Sequence, residues 1–98
     1  MAAKKSKKKL QSPTRLGNTV FIRTVTHFFT GLIVGLTKET ISLKNAAWIA
    51  DTGRFSQALK TGTLNEVEPY PAGDTVLINL GAVVDIAPWN HELPTKAK

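Results

Sequence analysis

N-A-A-W-I-A-D-T-G-R-F-S-Q-A-L-K-T-G-T-L, residues Asn45 to Leu64, is the stretch where a β-type pattern gives way to a helical one. Ala46 to Ala50 read as the end of a buried strand, with small residues around the large ring of Trp48. Asp51 or Thr52 can cap a helix by accepting from the free amides of its first turn. Phe55, Ala58 and Leu59 stand at i, i+3 and i+4, which gives that helix one apolar face. Gly62 suits a left-handed stop, and Lys60 suits the negative end of the helix. The stretch therefore predicts a strand, a short helix near 52–61 acting as a plug, and a return to strand.

Outward from this stretch, β-branched and aromatic residues dominate. Residues 18–30 (N-T-V-F-I-R-T-V-T-H-F-F-T) read as one strand with no purely polar face, so both of its sides are expected to be covered. Gly31 interrupts the pattern and Leu32 to Leu36 resume it, both glycines there serving as bends. Ile41 and Leu43 alternate with Ser42 and Lys44, inward against outward. Leu64 to Tyr70 is a short extended segment, Pro71-Ala72-Gly73-Asp74 a turn, and Thr75–Leu80 and Ala82–Ala87 two strands, or one long strand bent at Gly81. Trp89 is placed to close the bottom of the core. Short strands, glycine bends and one inserted helix predict a mainly β fold. Its expected form is a small, partly open antiparallel barrel of the SH3-like or Sm-like kind.

Charge divides the chain. Residues 1–17 carry Lys4, Lys5, Lys7, Lys8, Lys9 and Arg15 with no acid, a charge of +6. Residues 18–93 hold five basic and seven acidic residues, a charge of −2, and Lys96 and Lys98 return +2. The sequence thus predicts a disordered basic arm (1–17), a barrel domain (18–89) and a polar tail (90–98). Lysine blocks neutralise phosphates and release counterions without reading sequence, so Lys4, Lys5, Lys7, Lys8, Lys9 and Arg15 are the expected nucleic-acid contacts. At 98 residues with no cysteine, neither disulfides nor a thiolate zinc site can support the small core. Self-association can, and Phe21, Phe28, Phe29, Trp48, Phe55 and Trp89 are many large rings for so small a domain. They are the candidate interface residues of a homo-oligomer.

No catalytic, metal or cofactor site is expected. His27 and His91 lack the companion ligands of a metal site. Glu66 and Glu68 read as a solvated strand face rather than an acid–base pair. Gly31 and Gly35 lack the helix N-terminus that a phosphate-binding loop needs. No apolar run reaches the roughly 20 residues of a membrane-spanning helix, and no secretory signal is present, so a cytosolic protein, or one made in a cytosol, is expected.

Two resemblances extend this reading. T-G-L-I-V-G-L-T-K-E-T-I-S-L (Thr30–Leu43) and V-L-I-N-L-G-A-V-V-D-I-A (Val76–Ala87) resemble the two sequence blocks of Sm-like proteins. That likeness implies a small barrel, rings and RNA binding. A basic arm here replaces the usual N-terminal helix and a helix separates the blocks, so no pocket residue is carried over. H-F-F-T-G (His27–Gly31), A-A-W-I-A-D-T-G-R-F-S-Q-A-L (Ala46–Leu59), E-V-E-P-Y-P (Glu66–Pro71) and G-A-V-V-D-I-A-P-W (Gly81–Trp89) together resemble a family of small bacteriophage and prophage proteins of unknown function. This resemblance implies a viral setting, in host cytoplasm or a virion, without an activity. Three functions fit: a non-catalytic self-associating module whose arm contacts nucleic acid; a virion structural protein, such as a capsid cement, decoration or head–tail ring subunit packed among neighbouring virion proteins; or a host-interaction or anti-defence binding protein.

Overall fold

The structure, a computed structural model, describes residues 14–98. Six antiparallel strands make one sheet: β1 (Thr19–Thr24), β2 (Phe28–Leu36), β3 (Thr40–Asp51), β4 (Glu66–Pro69), β5 (Thr75–Asn79) and β6 (Val83–Pro88). One helix, α1 (Phe55–Thr61), lies between β3 and β4, and a 3₁₀ turn (Leu80–Ala82) joins β5 to β6. The order is β4-β3-β2-β1-β6, with β5 also paired to β3. β4 and β5 follow one another along the same edge of β3, which pairs with β4 through Ala47–Asp51 and with β5 through Thr40–Lys44. β5 and β6 share no ladder among the described residues, so the sheet curls without closing.

The strand expected over 18–30 is instead a hairpin. β1 stops at Thr24, β2 starts at Phe28, and Ile22 lies across from Phe29. No glycine, proline or asparagine marks this turn. The Thr24 hydroxyl makes it, accepting from the His27 amide at 3.0 Å and donating to the His27 carbonyl at 2.9 Å. Thr75 to Ala87 divides into β5 and β6, which lie on different neighbours.

The sheet bends where β2 meets β3. Thr30 pairs with Ala47 but Leu32 pairs with Lys44, so β3 carries one extra residue opposite Gly31. Asn45 supplies the bulge with φ = 52°, a left-handed conformation that asparagine tolerates. A Cβ on Gly31 would lie 2.9 Å from both Cβ and Cδ1 of Leu43. Only glycine permits that approach.

Each face of the sheet has its own core. Val20, Ile22, Ile33, Ile41, Leu43, Ala46 and Ile78 fill one side, here termed the inner, with Phe29, Tyr70, Val76, Leu80, Val83 and Ile86 packed around them. Phe21, Ala47, Ile49, Ala58, Leu64, Val67 and Trp89 form a second cluster on the opposite side, with Phe28, Leu59 and Leu93. Both faces of β1 are covered, as the sequence predicts, by the chain's own residues. The helix packs into this second, outer cluster, where it buries Ala58.

α1 also begins later than the sequence suggests. Its N-cap is Arg54, with no side-chain capping bond. Asp51 Oδ1 accepts from the Gly53 amide and Thr52 Oγ1 donates to the Gly53 carbonyl, so both candidate caps are used in the preceding turn. The other end is as expected: Gly62 has φ = 79° and its amide donates to Ala58 O. The tail packs rather than trailing away. Lys98 and Val67 exchange backbone hydrogen bonds, and Lys98 Nζ donates to Leu64 O at 2.6 Å.

Candidate interaction surfaces

Of the expected phosphate contacts, Lys4, Lys5, Lys7, Lys8 and Lys9 lie outside the described residues, as does most of the arm whose disorder the sequence predicts. Arg15 is exposed in a turn whose carbonyl receives the Asn18 amide. The next residue but one, Gly17, donates to Ile33 O at 2.8 Å. This fixes where the arm leaves the body. Ile33 is paired with Leu43, and Leu43 with Val76, so the arm root shares a row with β5.

The acids collect at the other half of β3. Asp51 faces Glu66, and Trp48 faces Glu68, with both glutamates exposed. The His27 ring lies tilted against Trp48 with ring centroids 5.2 Å apart, and its Nδ1 lies 2.7 Å from Thr26 Oγ1. Phe29 pairs with Trp48 from β2. The result is a half-exposed aromatic row, Phe29–Trp48, bordered by carboxylates. The sequence places His27 within a strand, and its ring contact needs the unforeseen Thr24 turn. Carboxylates repel phosphates, so this half is the less suited to nucleic acid.

The six candidate interface rings separate by environment. Phe21 and Trp89 are each 1% exposed and belong to the outer-face core, which removes them from any partner surface. Phe21 is the hub there, its ring centroid 5.5 Å from Phe28, 5.9 Å from Phe55 and 5.6 Å from Trp89. Trp89 Nε1 donates to Glu92 O at 3.1 Å and Thr19 Oγ1 donates to Trp89 O at 2.6 Å, so its polar groups are satisfied as well. Phe28, Phe29 and Trp48 are half-buried, and Phe55 is 39% exposed.

Beside Phe55, Arg23 and Asp85 form a two-point ion pair across β1 and β6, at 3.3 Å from Nε to Oδ1 and 2.5 Å from Nη2 to Oδ2. The guanidinium also lies 5.6 Å from the Phe55 ring centroid. Hydrogen bonding and attraction to Asp85 raise the Arg23 pKa further above its ordinary value. A raised base stabilises the fold fully below its unfolded pKa and loses that effect only as pH passes the folded value, beyond any working range. Both groups are solvent-exposed, so the pair is screened and mainly sets local geometry.

An open cleft of about 550 Å³ separates the end of α1 from the tail, lined by Thr61, Gly62, Val67, His91 and Lys96 among others. His91 reaches across with its Nε2 2.8 Å from Leu59 O and its ring edge-on to Trp89. His91 thus has a packing role that the sequence does not signal. No group of three His, Asp or Glu residues able to hold a metal occurs among the described residues. No family model, no curated protein and no solved structure matches this chain.

Proposed function

We propose that this chain is a non-catalytic, phage-type β-module that self-associates through its body and contacts nucleic-acid phosphates through Lys4, Lys5, Lys7, Lys8, Lys9 and Arg15. The observation that carries the reading is the division of charge, +6 over residues 1–17 against −2 over residues 18–93. The position of the arm root supports it. Gly17 leaves the sheet in the row of β5, away from Asp51, Glu66 and Glu68. The fold is read here as a partly open barrel of the SH3-like or Sm-like kind. Two features support this: β5 and β6 lie beyond opposite sides of the sheet, and a single 3₁₀ turn joins them.

The test is binding of full-length protein to labelled duplex DNA across a salt series, beside a variant with all five lysines changed to glutamine. Each phosphate neutralised on duplex DNA contributes about −0.9 to the slope of log K against log salt, so five lysines give about −4.5. The variant is expected to lose nearly all of that slope while keeping the mass of the wild type in light scattering. Equal binding and equal slope in the two proteins would overturn the role of the arm. A wild type that stays monomeric at all concentrations would overturn self-association.

A further inference from the structure

The sheet has three outer strands, and two of them are protected. β4 turns the amide and carbonyl of Val67 outward, and Lys98 takes both. β6 is protected differently. The Trp89 amide donates to Thr19 O, so Trp89, Ala87 and Asp85 direct their backbone groups to β1 while Pro88 and Ile86 direct theirs outward. Pro88 has no N–H to offer, and the register shift beyond Asp85 breaks the strand at Val84. Proline and bulges are common devices against edge pairing.

β5 has neither. The Leu80 amide donates to Glu39 O at 2.8 Å, which sets the ladder so that Val76 and Ile78 bond to β3. Thr75 and Leu77 therefore present their amides and carbonyls outward, and Asn79 its amide, the Asn79 carbonyl being engaged by the 3₁₀ turn that it caps. The strand, T-V-L-I-N, contains no charge, no proline and no register shift against β3. All three outward residues are exposed, Leu77 at 62%.

We infer that self-association proceeds by antiparallel pairing of β5 with β5 of a second copy, about a two-fold axis at Leu77. The inference rests on the self-association proposed above and names its surface. The strand is complementary to itself in this register: Leu77 meets the partner's Leu77, Thr75 meets the partner's Asn79, and no like charges oppose one another. Pairing β5 with β6 of a neighbour, which would propagate a ring, meets Pro88 and the Val84 break instead.

Light scattering of the full chain, with Leu77→Lys and Val84→Lys variants, tests this. The wild type and Val84→Lys are expected at twice the 10.6 kDa chain mass, and Leu77→Lys at the single mass with an unchanged circular dichroism spectrum. The chain has no cysteine, so a Leu77→Cys variant adds a geometric readout. Facing hydrogen-bonded residues have Cα atoms about 5.5 Å apart, within disulfide reach. Mild oxidation should cross-link this variant to itself. An oligomer indifferent to Leu77→Lys, or a Leu77→Cys variant that stays oligomeric without cross-linking on oxidation, would overturn the β5 pairing and leave self-association standing. A monomeric wild type would overturn both.

Discussion

Gly31 is the residue on which the curvature of the sheet depends. Its missing side chain lets Leu43 of β3 come within 2.9 Å of where a Cβ would be, opposite the bulge at Asn45. Gly31→Ala is expected to destabilise the protein by about 1–3 kcal/mol, the cost of overpacking a well-filled core. Urea denaturation of this variant, of Leu43→Ala and of the pair measures the coupling. The second change removes Cγ and Cδ1 but keeps Cβ, so it should recover part of the first loss, and strict additivity would show that the contacts with Cγ and Cδ1 are unimportant. The bend was legible from the glycine in an apolar run. The asparagine that completes it was not, because its positive φ answers a register mismatch between two strands. A neighbouring residue carries a cost of its own: Thr30 Oγ1 is buried and has no hydrogen-bond partner.

α1 shows which element signals are local and which are not. Gly62 stops the helix as the sequence indicates, since a left-handed C-cap depends only on that residue and the turn before it. The start was misread because Asp51 and Thr52 serve a turn at Gly53, leaving Arg54 as an N-cap with no side-chain bond and no acid in the first turn. Arg54→Asp is accordingly expected to stabilise the protein by about 1 kcal/mol, through a capping bond and a favourable charge at the helix N-terminus. Thermal melts of the two proteins check this, and a lower midpoint for the variant would refute it. The alternation of β3 was equally legible, with Ile41 and Leu43 buried and Lys44 exposed. The β1–β2 hairpin was hidden, because a threonine hydroxyl makes its turn and side-chain bonding of that kind leaves no compositional mark.

At the scale of the molecule, two cores share one sheet, and β1 contributes to both: Val20 and Ile22 to one side, Phe21 to the other. Sequence periodicity shows that both faces of β1 are apolar but not what lies on each, since that depends on where a distant helix lands. Shared strands predict one cooperative transition. In a Trp48→Phe background, Trp89 fluorescence reports the outer core alone, and its unfolding midpoint should coincide with that of the far-ultraviolet dichroism. Separate midpoints would show that the cores melt independently. The pairing of β1 with β6 has a further consequence, in time rather than space. Thr19 and Trp89, joined by a hydrogen bond, are 70 residues apart in the chain, so β1 leaves the ribosome well before β6 and waits for it. Until β6 emerges, one side of β1 has no ladder partner, and pairings this remote place folding toward the slow end for small domains. During that interval Val20, Phe21 and Ile22 are most open to the wrong partner, and the nascent lysines preceding them, by mutual repulsion, hold neighbouring chains apart.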